Sequence, residues 1–461
     1  MKVVKENTVI KCIHGVRKDH IGYGAITRDG IGCYCCGEVF SVASFPRHRG
    51  DIFVDKPYEN LFIEETKVSL LSCQIEAWNR HSVPARSGYH HVVRRPRVKD
   101  NSDDSCVICA DGGDLICCDN CPSTYHLKCL GFKGVPEDEW LCPYCRCKYC
   151  DRDTVKDVLL TCFQCLKKYH GQCSNKFDKI PSRPQPLTIP FCGNGCWQVY
   201  QKLENMLGRN MPTRDGYSWT LIRKMDLDSV GQNSEDLYLK ATCNSTIVLA
   251  AKLMEESFKL IVDRQTRTNM IQSVIYNCGM NFSRFYTAIL QFQGKIISVA
   301  SLRLPSPELT EIPFIATTEG QRSKGMCKML LGALEIALIK IGVESIVIPS
   351  SEEMEENWQK KFGFEPLDEA MNRKLTNLNT LMFPKTIRLQ KVIKHVKKMM
   401  LHHDLNLGLV EEKRYSKLLR LCISLFQETS LMFPGNREAE ALIRVSSRVS
   451  NMHAAQMMNN E

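Results

Sequence analysis

Cys106 opens the stretch CVICADGGDLICCDNCPSTYHLKCL, which places six cysteines and one histidine within 25 residues. Such thiols could be disulfides, metal ligands or reactive nucleophiles, and their spacing separates these chemistries. Cys106 and Cys109 lie two residues apart, as do Cys118 and Cys121. His126 and Cys129 follow, then Cys142 and Cys145. Two-residue gaps let paired thiolates turn onto one ion, and zinc takes four such donors tetrahedrally. The same order then repeats: Cys147, Cys150, Cys162, Cys165, His170, Cys173, Cys192 and Cys196. Two sets of eight donors predict four zinc ions. Cys118, not its neighbour Cys117, gives the two-residue gap and is taken as the ligand.

Trp140 stands two residues before Cys142, and the donor order is four cysteines, one histidine and three cysteines. In this the first set closely resembles the PHD finger family. A RING finger would place its histidine one ligand earlier. The resemblance implies cross-braced sites: Cys106, Cys109, His126 and Cys129 on one ion, Cys118, Cys121, Cys142 and Cys145 on the other. The second set looks like a divergent PHD finger, with Pro190 where the tryptophan would stand. By analogy its sites are Cys147, Cys150, His170 and Cys173, and Cys162, Cys165, Cys192 and Cys196. The run DDSCVICADGGDLICCDNCP further resembles fingers that read the unmodified histone H3 tail. That resemblance implies that Asp104 meets the tail's fourth-position lysine and Asp119 its second-position arginine. The segment from Pro136 to Trp140 would offer carbonyls to the tail's amine. A methyl-lysine cage needs several aromatics around the cation, and Thr124 stands at a position that is aromatic in many methyl-lysine readers. The acids are otherwise a solvated loop.

What must position this chemistry is a chain of 461 residues, long enough for about three domains. It is 43% hydrophobic and 24% charged with net charge +10, a balance that suits a packed protein with an acidic partner. The N-terminus shows no secretory leader, and the longest apolar run is broken by Glu335, Lys340 and Glu344, so no membrane span is expected. That favours metal over disulfides for the 24 cysteines, 15 of which fall between Cys106 and Cys196. Residues 1–85, with short alternating runs and glycine turns, predict a small β-rich module. Cys33, Cys36 and His48 there are either a metal site without an evident fourth ligand or part of a cysteine-containing core. The block resembles the N-terminal module of plant nuclear PHD–acyltransferase proteins, related to repressor-binding domains, and loosely a SAND domain. Residues 86–102 form a basic linker with Arg86, Arg94, Arg95, Arg97 and Lys99. It could touch DNA phosphates, direct nuclear import, or simply be solvated.

Beyond residue 215 the periodicity is mixed α/β. A helix is expected from an N-cap at Ser245, a hairpin at Gln293-Gly294, a helix ended by Gly342, and a strand followed by a helix capped near Ser350. Between strand and helix, EGQRSKGMCKML places Arg322, Ser323, Lys324, Gly325, Met326 and Cys327 at a helix start, where backbone N–H groups suit a pyrophosphate. This order, with the later FGFEPL, resembles the GNAT acyltransferase family over about residues 218–384. The resemblance implies acetyl-CoA as cofactor, backbone pairing of its arm near Ile315 and Thr317, and Glu311 as catalytic base. Cys327 and Gln359 depart from the family's small residue and tyrosine. Pro313 in the same strand needs an unpaired edge. The fold class expected is therefore multidomain: zinc-stabilised PHD fingers (103–146 and 147–200), a GNAT α/β domain (215–390) and the small β-rich module. Residues 391–461 read as a partly helical or disordered tail, and KTIRLQKVIKHVKKMM, residues 385–400 at its start, as an amphipathic helix. Over about residues 15–390 the architecture resembles the plant increased-in-DNA-methylation family of nuclear acetyltransferases. That implies a nuclear chromatin regulator with histone H3 and transcriptional co-regulators as partners. The alternative is a non-catalytic chromatin adaptor.

Overall fold

A computed structural model describes residues 3–13, 20–48, 56–81, 102–151, 158–177, 189–227, 234–262, 269–279 and 282–393. Nearly all of the basic linker, and the tail beyond 393, lie outside them.

The β-rich N-terminal expectation holds. Five strands lie in the order Val39–Phe40, Gly30–Cys33, His20–Thr27, Val9–Ile13 and Leu61–Ile63. Ile10, Cys12, Ile31, Phe45 and Leu61 form the core. Gly24 has a packing reason, since a Cβ there would lie 2.7 Å from the Gly32 carbonyl oxygen. The helix Leu70–Arg80 follows, capped by Ser69, whose hydroxyl accepts from the Ser72 N–H.

Each finger carries one two-stranded ribbon: Ile116–Cys117 with Thr124–Tyr125, and Leu160–Thr161 with Lys168–Tyr169. Their cores consist mainly of ligand cysteines and a few aromatics. Domains this small cannot bury enough apolar surface to fold on it alone.

The C-terminal part is an eight-stranded mixed sheet. Its order is Asn210–Pro212, Tyr217–Ile222, Tyr286–Phe292, Lys295–Ser306, Leu309–Thr317, Ser345–Ser351, Thr386–Val392 and Glu365–Pro366. The hairpin forms where expected, with Gln293 and Gly294 both left-handed. All neighbours are antiparallel except Leu309–Thr317 with Ser345–Ser351, which are joined through the helix Met326–Ile341. That parallel pair is joined only at Leu309 with Ser345, Thr310 with Ile346 and Glu311 with Val347. Past Glu311 the two strands part. The cause is local: Ser301 faces Phe314 and Arg303 faces Glu311, so the Leu309–Thr317 strand carries one extra residue there. Pro313 sits in this bulge, where a missing N–H is tolerated. A mixed sheet that splays at its one parallel pair is the arrangement expected of the GNAT fold.

Three expectations are corrected. The helix with the expected cap at Ser245 runs Ser234–Ser257, so Ser245 is interior; burial already begins at Lys240 and Ala241, before the expected cap. The helix expected from Lys385 is, over Thr386–Val392, a strand. Seven residue pairs with Ser345–Ser351 outweigh its helical periodicity. The domain also reaches beyond 215–390 at both ends, since Asn210 pairs with Thr220 and the Ile393 N–H donates to the Glu344 carbonyl.

Leu389 in that strand is fully buried. Leu389→Ala should cost about 2–5 kcal/mol of stability, read as a lower denaturant midpoint for the sheet. An unchanged midpoint would place the strand outside the folded sheet.

Candidate metal centres and acyl-transfer cleft

Both fingers gather their donors in the pairing the resemblance implied. Cys106, Cys109, His126 and Cys129 converge, as do Cys118, Cys121, Cys142 and Cys145. In the second module Cys147, Cys150, His170 and Cys173 meet, and so do Cys162, Cys165, Cys192 and Cys196. Within each group the donor atoms lie within 4.8 Å of one another. A zinc–sulfur bond of about 2.3 Å gives a tetrahedral edge of about 3.8 Å. Cys121 and Cys142 stand 3.7 Å apart, as do Cys165 and Cys192. The donor sets fit zinc. His126 turns Nδ1 to Cys109 and Cys129, while its Nε2 lies 3.2 Å from the Gly112 carbonyl, a partner that fixes the ring. Cys117 is exposed and outside every group.

The second module repeats the backbone of the first. The Asp119 N–H donates to the Trp140 carbonyl at 3.1 Å, and the Phe163 N–H to the Pro190 carbonyl at 2.8 Å. Each donor follows the third ligand of its set. Where the first finger shows an acid, the second shows Phe163, which packs on Phe191 and Tyr200. Phe191 in turn packs edge-on against Trp197.

On the first finger, Asp104 and Asp119 are exposed. Asp119 Oδ2 accepts from the Trp140 N–H at 2.6 Å. The Trp140 ring is buried edge-on against Tyr125 and Phe132, so its side chain supports the surface from beneath. Thr124 is buried, its hydroxyl donating to the Asp103 and Ser105 carbonyls. Ile116–Cys117 pairs with one strand only, leaving its other edge open among the described residues. The finger rests on the C-terminal sheet, where Arg388 donates to the Val107 carbonyl at 3.5 Å.

Glu311 lies at the point where the strands part, and is 2% exposed. Its Oε1 accepts from Arg303 Nε at 2.5 Å and its Oε2 from the Leu381 N–H at 2.8 Å. Arg303 also donates to the Asn379 carbonyl at 2.9 Å and lies over the Phe285 ring. Sequence reasoning missed Arg303. Its spacing from Glu311 on a hairpin was the available signal. A cavity of about 390 Å³ lies between the finger and the segment that precedes the strand Thr386–Val392, lined by Asp103 and Asp104 on one side and Asn379 and Leu381 on the other.

Ile315 and Thr317 lie on the parted half of the strand. Arg322 folds back, its Nε donating to the Thr317 carbonyl at 3.1 Å. Ser323 and Gly325 are both left-handed, at φ 60° and 82°. Gly325 starts the helix Met326–Ile341 without a side-chain cap, and a Cβ there would meet no atom within 4 Å. The first-turn N–H groups, including those of Met326 and Cys327, are thus not covered by a cap. Lys324 is exposed beside them. Burial pushes the Cys327 thiol up to about 12, so it is neutral and adds no charge against an anion. Gln359 bonds Glu355 on its own helix. Uncapped backbone N–H groups at a helix start are of a kind that suits an anionic group.

His170→Ala and Cys192→Ser should each lower zinc content by one ion per chain in native mass spectrometry. Unchanged counts would remove the second module's donors from metal binding.

Residues 24–77 match the Tify domain binding domain, 106–145 the PHD-finger and 258–392 the Increased DNA methylation 1, C-terminal domain. Increased DNA methylation 1 of Arabidopsis thaliana is 36% identical over 401 residues, covering 85% of this chain and 33% of that protein. The chain thus spans about a third of that relative's length. The human autoimmune regulator is 40% identical over 65 residues, 14% of this chain and 11% of that protein. The crystal structure of Tetrahymena GCN5 is 14% identical, covering 33% of this chain and 88% of that one, with a TM-score of 0.27. Over 85% of its length the chain is thus similar to Increased DNA methylation 1, a likeness joined by its matches to the Tify domain binding domain, the PHD-finger and the Increased DNA methylation 1, C-terminal domain.

Proposed function

We propose that the chain is a nuclear histone acetyltransferase and transcriptional regulator. Its first finger holds an unmodified histone H3 tail, and its C-terminal domain passes acetyl to a lysine of that tail. The observation that carries this reading is the shared cavity: Asp104 of the finger and Leu381, whose N–H holds Glu311, line one space.

A cationic peptide adds to the open edge of Ile116–Cys117 by backbone pairing. Asp104 takes the fourth-position lysine and the free Asp119 oxygen the arginine, while carbonyls of 136–139 receive the terminal amine. Four zinc ions hold the two fingers in shape. Acetyl-CoA supplies the activated acetyl thioester. Backbone groups at Ile315 and Thr317 hold its arm, and the turn Arg322–Cys327 with the helix N-terminus holds its pyrophosphate. A lysine ammonium, with a pKa of about 10.4 in water, must lose a proton before it can attack. Glu311 takes that proton through a lone pair that Arg303 and Leu381 leave free. The basic linker contacts DNA, and the N-terminal module recruits transcriptional co-regulators. A second reading is a non-catalytic chromatin adaptor. The double engagement of Glu311 and the glutamine at 359 favour it.

Asp104→Ala should weaken unmodified H3 peptide binding, and trimethylating the fourth-position lysine should do the same in the parent protein. Tighter binding of the trimethylated peptide would refute the reader assignment. Glu311→Gln should retain acetyl-CoA binding by calorimetry and lose about 100-fold to 10,000-fold in acetylation rate at neutral pH. Higher pH should restore part of the loss. Gly325→Val, strained at this φ, should lose cofactor binding instead. Wild-type protein that neither binds acetyl-CoA nor turns over would leave the adaptor reading standing.

A further inference from the structure

The geometry points to a fifth zinc site, in the N-terminal module, formed by Cys33, Cys35, Cys36 and His48. Their four donor atoms lie within 4.8 Å of one another. Cys33 Sγ and Cys35 Sγ are 3.2 Å apart, and His48 Nε2 is 3.3 Å from Cys35 Sγ and 3.4 Å from Cys36 Sγ. Zinc–sulfur bonds of about 2.3 Å and zinc–nitrogen bonds of about 2.0 Å set a sulfur–nitrogen edge of about 3.5 Å. The fourth ligand that the sequence did not reveal is Cys35, hidden between the two cysteines of the recognisable pair.

The backbone supports the assignment independently. In the first finger the residue after the second cysteine, Ala110, is left-handed and donates its N–H to the Cys106 carbonyl. The Cys106 N–H in turn donates to the Asp111 carbonyl. In the second finger Leu166 and Lys167 make the same two bonds with Cys162. Around Cys33 the turn is repeated. Gly37, at φ 74°, donates to the Cys33 carbonyl at 2.9 Å, and the Cys33 N–H donates to the Glu38 carbonyl at 2.9 Å. The Cys35 N–H lies 3.5 Å from Cys33 Sγ. The hairpin end is therefore built as the metal-holding turns of both fingers are built. His48 is brought to it by the helix Ser44–His48 and steadied by stacking on Phe40, with ring centroids 4.1 Å apart.

The ion has a structural task. It joins the hairpin end to the short helix that drives Phe45 into the core. A module of this size gains folding free energy from such a clamp. Three of the four donors are exposed, so the site opens to solvent, unlike the buried group at Cys162.

The test uses the full chain, purified with reductant and zinc. Native mass spectrometry should give five zinc ions per chain. The double substitution Cys36→Ser/His48→Ala should give four, the fingers' complement. A variant that fails to fold does not decide the matter, because the parent protein carries a second readout. Cys35 and Cys36 are exposed, and zinc ligation should slow their alkylation about ten-fold or more until a chelator is added. Four ions with rapid alkylation of Cys35 and Cys36, or a disulfide joining any two of the cysteines under reductant, would overturn the assignment.

Discussion

The buried pair of Arg303 and Glu311 is the constraint on which the C-terminal domain turns. Two charges taken out of water are stable only if their remaining hydrogen-bonding capacity is met, and removing one partner typically costs about 3–5 kcal/mol. Here the pair spans two neighbouring strands at the bulge and reaches out to Asn379 and Leu381. It thereby sits at the point where the bulge parts the parallel strands. It also fixes the irregular segment that walls the cavity below the first finger. One ion pair thus ties the bulge that parts the strands to the wall of the cavity.

The fingers solve a different problem. They have almost no apolar core, and the ligand cysteines occupy the positions that leucine or valine would take elsewhere. Metal ligation supplies the folding free energy, roughly 10 kcal/mol or more for each structural site. The surface is then released from any duty in folding. The two modules show this directly. They share a backbone, yet the position after the third ligand is Asp119 in one and Phe163 in the other. The first presents charge to solvent, while the second spends the position on packing against Phe191 and Tyr200.

Much of this was legible because metal and turn chemistry act over short sequence distances. Eight donors in a repeated order, Gln293-Gly294 and Gly342 each carry their own reason. What escaped lay in long-range pairing. Thr386–Val392 alternates well enough for a strand and is periodic enough for a helix. Only its seven partners in Ser345–Ser351 decide the matter. Ser245 has the chemistry of a cap but lies within a longer helix. Cys35 went unread because it stands between two cysteines already at the expected gap. Arg303 went unread because an arginine in a strand looks exposed until its carboxylate is found across the ladder.

The placement of the first finger bears on the proposed function through geometry, not affinity alone. A peptide held by one module and presented to another gains an effective concentration set by the connection between them. A flexible connection spreads that gain over many positions of the peptide. Here Arg388 of the sheet donates to the Val107 carbonyl at 3.5 Å, and the finger and the segment 376–384 of the C-terminal domain line one cavity. If a peptide were held at Asp104 as proposed, a fixed spacing of this kind would concentrate the gain on the few of its residues that reach the opposite wall at Leu381, whose N–H donates to Glu311. On this reading the choice of lysine would be set by a distance along the peptide, so the sequence immediately around the acceptor lysine would matter less than its separation from the tail's free end.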